Sequence, residues 1–291
     1  MSSYWGQVQA YVLFGERCSL IFYREKLDKF IHYCAQNSVE NVTDVSPDLL
    51  RSYMLQMAEV RGNNKGNIHC FYRCVRAFLY WYENEFEPEG WKNPIKKVKP
   101  PRQSNVIIEP VGIDTITAML DTCTENTFID DRDAAILLSL LDLGTRATEF
   151  LDINLENVDA SGVVTIIHGK GDKSRVVFLG KKSRKAIRRY LRHRTDQNPA
   201  LWIARTGSRL TYDGLRMVLR TRAGLANVKT PAPHGFRRQF ALTMLRNDVD
   251  VFSLQKLLGH TSLAILRRYL AQNNEDTQLA HLKGSPGDHL F

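Results

Sequence analysis

The stretch that most constrains this chain is EPEGWKNPIKKVKPPRQSN, residues 87–105. It holds four prolines, each lacking the N–H that a helix or a central strand requires. No regular element runs through it, so the 291 residues divide into two parts. We place a helical unit at 1–98, a basic linker at 99–108 and a second unit at 109–291. The prolines alone would make a surface connector. Lys96, Lys97, Lys99 and Arg102 also suit a tether lying along phosphates.

The first part reads as helices. Apolar and aromatic residues recur at helical spacing through Leu20–Cys34, Leu49–Met57 and Cys70–Tyr82. Ser46 before Pro47 is a helix start, with a side-chain cap and a proline at the first helical position. RGNNKGN, residues 61–67, breaks the pattern as a loop.

In the second part, DDRDAAILLSLLDLG reads as a buried helix stopped by Gly144. VVTIIHGKGDKSRVVFLG has two β-rich arms around a Gly-Asp turn, a hairpin signal. The preceding NLENVDASG is read as a short extra strand of the same sheet. From Lys181 the chain is helical again, with segments at 181–194, 212–223, 237–247, 251–258 and 261–270. The fold class is mainly α with a small antiparallel β-sheet.

Charge narrows the partners. The net charge is +9 and the isoelectric point about 9.3, an excess that favours a polyanion. It is concentrated in KKSRKAIRRYLRHR, with Lys181, Lys182, Arg184, Lys185, Arg188 and Arg189 on one helix and no acidic residue among them. A solvated helix face would carry Ala186, Ile187, Tyr190 and Leu191 as its apolar stripe. Like charges without acidic partners repel unless something anionic lies opposite, which favours nucleic acid.

Other classes recede. The longest apolar run, Ala134–Leu141, contains Ser139 and is far too short to span a bilayer. No secretory signal is visible, so the expected location is the cytoplasm, with no membrane partner. Five cysteines, an odd number without a C-x-x-C pair, fit reduced thiols. His69, Cys70 and Cys74 find no second cluster to complete a zinc site, and neither metal nor cofactor is expected.

Four islands carry groups suited to a phosphodiester. They are Arg146 and Glu149 in GTRATEF, Lys170 in GKGDK, His234 and Arg237 in HGFRRQF, and His260 with Tyr269 in LGHTSLAILRRYL. Singly each has an ordinary explanation, as a surface pair, a solvated lysine or a packed tyrosine. Their order along one chain is what gives them weight.

LDLGTRATEFLDI, HGKGDKSRVVFLG, HGFRRQFALTML and LLGHTSLAILRRY, in this order, resemble the catalytic motifs of the tyrosine recombinases, the phage integrase and Xer-like family. The resemblance covers nearly the whole chain, the first unit being similar to the family's core-binding domain. It implies that Tyr269 is the nucleophile, that Arg146 and Arg237 are the paired arginines, and that Lys170 is the hairpin lysine. His234 matches the first histidine, His260 a position held by histidine or tryptophan, and Glu149 a supporting acid. Phe236 and Arg238 stand where leucine and histidine are commoner, which bears on subfamily rather than on chemistry.

The set is chemically coherent. Attack on a phosphodiester builds negative charge on two non-bridging oxygens, and guanidinium forks from Arg146 and Arg237 clamp it, with His260 as a third donor. A phenol with a pKa of about 10 is a weak nucleophile at neutral pH. Neighbouring arginines lower that cost, and His234 is the residue type to accept the proton. Lys170 suits protonation of the leaving 5′-oxygen. The expected product is a 3′-phosphotyrosine and a free 5′-hydroxyl, rejoined without ATP or metal.

What the resemblance implies is a site-specific DNA recombinase acting as a homotetramer on two double-stranded DNA sites, with accessory proteins as further partners. Integration, excision and dimer or cointegrate resolution all fit, as functions of a mobile element or of chromosome partition. The length favours the two-domain form without a separate arm-binding domain, and residues 271–291 are a segment able to dock on a neighbouring protomer. Sequence readout falls to Asn63, Asn64, Lys65 and Asn67 in the first unit and to Arg205, Arg209 and Arg216 in the second. Two rivals stand beside this reading. A monomeric type IB topoisomerase would relax supercoils at any sequence, and a non-catalytic DNA-binding protein would be indifferent to Tyr269→Phe.

Overall fold

The computed structural model describes residues 17–59, 62, 65–102, 109–167, 174–259, 281–282, 285 and 288, with only the backbone over 17–22. The chain forms two compact units, Met1–Val106 and Ile107–Phe291.

In the first unit, helices α1 (Arg17–Gln36), α2 (Pro47–Glu59) and α3 (Lys65–Phe86) surround an aromatic centre. The α2 start is set locally, since the Ser46 Oγ accepts the Leu49 N–H at 3.1 Å with Pro47 at the first helical position. Phe30, Tyr53 and Phe71 meet with ring centroids 4.8–5.3 Å apart, above fully buried Leu50 and Val75. Tilted rings at such distances add to the burial of their large apolar area.

The first half of the proline-rich stretch belongs to this core. Asn93 caps a 3-10 turn at Pro94–Lys97, accepting from the Ile95 N–H and donating to the Leu79 carbonyl at 3.1 Å. Ile95 and Val98 are buried, and the Tyr72 hydroxyl donates to the Val98 carbonyl. Pro94 is tolerated because a first-turn N–H needs no partner.

The second unit is built on one central helix, Phe128–Leu143. Helices α4 (Ile113–Leu120), α5 (Phe128–Leu143) and α6 (Ala147–Leu151) precede strands β1 (Val163–Ile166) and β2 (Arg175–Phe178). Then follow α7 (Lys181–Arg192), α8 (Tyr212–Leu225), α9 (Pro233–Arg246) and α10 (Val251–Leu258). Ala135, Ile136 and Leu137 are completely buried, so α5 is apolar most of the way round, as a central helix must be. Trp202 stacks between Phe150 and Tyr190, at 4.8 and 6.0 Å.

The acidic start of α5 is buried as well. Arg222 from α8 donates to Asp133 at 2.8 Å and Asp130 at 2.7 Å, and Arg132 also pairs with Asp133. Buried charges persist only when paired and hydrogen-bonded in this way. At the other end, the Asp142 carboxylate accepts the Gly180 N–H at 2.7 Å and the Ser183 hydroxyl, which fixes the start of α7.

The mainly α fold with a small antiparallel sheet is as expected, with one correction. The sheet has two strands, in register Val163↔Phe178 to Ile166↔Arg175. The segment expected as a third strand is a 3-10 turn, Leu155–Asn157, followed by a single bridge from Val158 to Val164. Its Asn154–Asn157 capping bonds and the Asp159–Val163 turn satisfy part of the backbone locally, and Asn154 and Leu155 pair with Ala200 and Pro199 rather than along β1. Among the described residues, no helix is long and apolar enough to cross a membrane.

Candidate active site

Gly144 is where the site begins. It ends α5 in the left-handed conformation, φ 56° and ψ 19°, which turns its carbonyl aside and sends the chain into Thr145 and Arg146. A Cβ there would lie 2.3 Å from the Phe240 ring of α9. Only glycine meets both demands.

Arg146 stands at the start of α6 with its side chain about one-third exposed. The carboxylate of Glu149 holds it twice, accepting the Arg146 N–H at 2.8 Å and its Nη1–H at 2.6 Å. Glu149 is itself buried, and Arg175 at the start of β2 donates to both its oxygens, Nη1 at 3.1 Å and Nη2 at 2.7 Å. Burial alone would raise the Glu149 pKa. The Arg175 and Arg146 hydrogen bonds outweigh that and lower it to about 2.

Arg237 is 1% exposed, on the second turn of α9. Its Nη1 donates to the Gly144 carbonyl at 2.9 Å and its Nη2 to the Leu258 carbonyl at 2.8 Å. Arg175 makes the matching contact one residue earlier, Nε to the Leu257 carbonyl at 3.0 Å. Two guanidinium groups thus cap the last turn of α10, the helix end that carries partial negative charge. Gly259, at φ 64°, then ends α10 against the Arg175 side chain, where a Cβ would lie 3.0 Å from its Cδ and Nη1.

His234 follows Pro233 in the first turn of α9 and presents an exposed surface. Crowding of protein around the ring, then the positive charges of Arg237, Arg146 and Arg238, hold its pKa below the ordinary imidazole value. Gly235 beside it lets the chain at Val111 approach, its carbonyl accepting the Val111 N–H.

The structure therefore gathers Arg146, Glu149, His234 and Arg237. Lys170, His260 and Tyr269 lie outside the described residues, as do Asn63 and Asn64. Arg175 was missed by sequence reasoning, since a basic residue opening a β arm carries no signal of its own.

The basic side chains fall into two groups. On α7, Lys181, Lys182, Lys185 and Arg188 are exposed. Arg189 instead pairs with buried Asp131 of α5 at 2.7 Å, which His193 also meets, and Arg184 donates to the Ser161 carbonyl. The anion opposite this end of the helix is thus partly supplied from within. In the first unit Lys96 pairs with Glu83 at 2.6 Å and lies over the Tyr80 ring, while Lys97, Lys99 and Arg102 are exposed. Asn67 accepts from Lys26, and Arg209 is spent on the Leu151 carbonyl and Asn154, whereas Lys65, Arg205 and Arg216 are exposed.

Among the described residues no group of three or more His, Cys, Asp and Glu side chains is gathered as a metal would need, and Cys34, Cys70, Cys74 and Cys123 are free thiols.

Comparison with known proteins places the family and the fold. The family model described as the phage integrase family matches residues 112–276. Tyrosine recombinase XerC of Pseudomonas fluorescens is 29% identical over 250 residues, covering 85% of this chain and 83% of that protein. XerC of Azotobacter vinelandii is 27% identical over 251 residues, with coverage of 85% and 83%. Among solved structures, XerH recombinase bound to a palindromic difH substrate in a post-cleavage complex superposes with a TM-score of 0.71 at 18% identity, covering 94% of this chain and 80% of that one. The Tn1549 transposon integrase in complex with a circular intermediate DNA gives 0.74 at 15% identity, covering 95% and 97%. At these identities the structural matches speak to the fold.

Proposed function

Because the chain belongs to the phage integrase family, we propose that it is a site-specific DNA recombinase that cuts and rejoins strands through a 3′-phosphotyrosyl intermediate on Tyr269. The observation that carries this reading is the junction of Arg146 and Arg237 at Gly144. One is two residues beyond the glycine, and the other donates to its carbonyl at 2.9 Å. Two guanidinium groups from separate motifs thereby share one locus, as a clamp on a phosphate requires.

In this mechanism Arg146 and Arg237 bind the non-bridging oxygens, joined by His260. Phosphorus is attacked by the Tyr269 oxygen, and the phenolic proton passes to His234, whose lowered pKa keeps it neutral and ready to accept at pH 7. The P–O bond to the 5′-oxygen breaks as Lys170 supplies a proton. Reversal with a 5′-hydroxyl of another strand reseals the DNA and returns the tyrosine. Energy of the broken ester is kept in the phosphotyrosine, so no ATP enters.

The first unit acts as the core-binding domain and residues 99–108 as its linker. Lys96, Lys97, Lys99, Arg102 and the α7 residues Lys181, Lys182, Arg184, Lys185, Arg188 and Arg189 make the basic surfaces toward DNA. We further propose that it works as a homotetramer on two DNA sites in the cytoplasm, integrating, excising or resolving DNA. What supports DNA as the partner is that XerH is described as bound to a difH substrate and the Tn1549 integrase as in complex with a circular intermediate DNA.

The test starts from sites selected by Tyr269→Phe protein out of a random double-stranded library. A selected site, nicked next to the cleavage position, then traps any covalent adduct on a denaturing gel. Wild type is expected to give a 3′-linked adduct and Tyr269→Phe none. Equal adduct from both, or none from either, overturns the reading. Adduct with supercoil relaxation at any sequence and no recombinants would point to a type IB topoisomerase instead.

A further inference from the structure

The bonds described above close into a ring. Arg146 meets Glu149, Glu149 meets Arg175, Arg175 meets the Leu257 carbonyl, Arg237 takes the next carbonyl, and Arg237 returns to Gly144, two residues before Arg146. Arg175 is the link with no role in the chemistry proposed above. We propose that Arg175 is a positioning residue for that reaction. It keeps Glu149 from neutralising Arg146 and locks the end of α10, from which the chain runs to His260 and Tyr269, to the base of the hairpin that carries Lys170. The inference rests on the recombinase reading.

Charge counting gives the first half. Glu149 grips Arg146 through both backbone and side chain, which orients it but would cancel its charge. A phosphate clamp with no net charge loses most of its hold on the extra negative charge that builds in the transition state, a loss that shows in rate rather than in affinity. Arg175 donates to both oxygens of the same carboxylate, so the trio keeps one positive charge in excess. Arg146 is the more exposed of the two cations, 31% against 10%, so the excess faces outward where a phosphate would sit.

Geometry gives the second half. One planar guanidinium spans a carboxylate through two nitrogens and a backbone carbonyl through the third, a reach that a lysine ammonium at one point does not reproduce. The Arg175 side chain also fills the space beside Gly259, so the turn out of α10 is packed on it. β2, and with it the hairpin base, therefore moves with the helix end that leads to the nucleophile. Reacting groups misplaced by about 1 Å cost on the order of 100-fold in rate.

The experiment measures single-turnover cleavage of the nicked substrate at saturating protein, with DNA affinity measured separately. Variants are Arg175→Met, Arg175→Lys and the double Arg175→Met/Glu149→Gln. Arg175→Met is expected to lose about 100-fold in cleavage rate with affinity within about threefold. Arg175→Lys restores the charge without the fork and is expected to lose about 10-fold. The double variant removes the neutralising carboxylate and is expected to cleave faster than Arg175→Met alone. A purely structural arginine would instead make the double variant worse than the single. Circular dichroism checks folding, and if Arg175→Met does not fold, the Arg175→Lys rate and affinity decide. Wild-type cleavage rates in the folded variants, parallel losses of affinity and rate, or a double variant slower than the single each overturn the proposal. Failure of wild type itself to form adduct overturns the recombinase reading, and this inference with it.

Discussion

Arg237 Nη1 donates to the carbonyl of Gly144 across 2.9 Å, tying an arginine of α9 to the residue that ends α5. The glycine does more than stop a helix. Its left-handed backbone aims the carbonyl at Arg237 and passes the chain to Arg146, while its bare Cα lets the Phe240 ring close in. One position thereby sets the separation of two cations from different motifs.

Gly144→Ala is therefore expected to be severe. A methyl 2.3 Å from Phe240 forces repacking worth about 1–3 kcal/mol, and the left-handed backbone adds about 1–2 kcal/mol. The midpoint of urea unfolding should fall accordingly. Gly224 on α8 has open space around its Cα, so Gly224→Ala should raise the unfolding free energy by about 0.5 kcal/mol, moving the midpoint slightly up, or leave it unchanged. Similar losses in both would contradict the packing argument.

Glu149 predicts a pH signature. Its folded pKa, about 2, lies below the ordinary 4.5, so the unfolded chain binds the proton more readily. The stabilisation is fully present above about pH 5 and is lost as pH falls from 4.5 toward 2. The shift corresponds to roughly 3 kcal/mol for this buried group. Glu149→Gln should lower stability at pH 7 by a few kcal/mol, and the gap to wild type should narrow between pH 5 and pH 3. A gap that stays constant over that range would mean the carboxylate is not held by its arginines.

Much of this was legible in the sequence because it is local. The apolar run ending at Gly144, the Ser46–Pro47 start and the β-rich arms each carry their signal within a few residues. The helix read over 237–247 begins at Pro233, where proline is a normal first residue. The partners of Arg175 lie 26 and 82 residues away, and no periodicity encodes such a contact. Asp131 escaped for the same reason. The α7 sequence shows no acid, and its counter-charge sits on another helix. Arg209 looked free for DNA only because its acceptors, the Leu151 carbonyl and Asn154, are remote in the chain.

His234 should shape the pH–rate profile. In the proposed mechanism it accepts the phenolic proton and so must be neutral, and crowding together with nearby arginines lowers its pKa. Cleavage should then lose activity only at pH below the ordinary imidazole range, with a flat region through pH 7. His234→Gln should slow cleavage by about 100-fold or more and remove that acidic limb. An inflection above pH 7 that survives the substitution would assign the base to another residue.

The α7 face separates two kinds of basic residue. Lys182, Lys185 and Arg188 are exposed with no ion pair among the described residues, so their charges are available to phosphates. Replacing all three by glutamine should weaken DNA binding and reduce the slope of log K against log salt by about 2.7, at roughly 0.9 per phosphate contact, while thermal stability barely changes. Arg189→Ala should do the reverse. It leaves the buried Asp131 carboxylate with one partner fewer, so the melting temperature should fall, while the salt slope changes by less than one contact's worth. The two responses are separable because neighbouring cations of one helix have different partners, solvent for Lys182, Lys185 and Arg188 and a buried carboxylate of α5 for Arg189. If Arg189→Ala instead lowered the salt slope by a full unit with stability intact, the Asp131 pair would have to open for DNA, and the whole face would count as one binding surface.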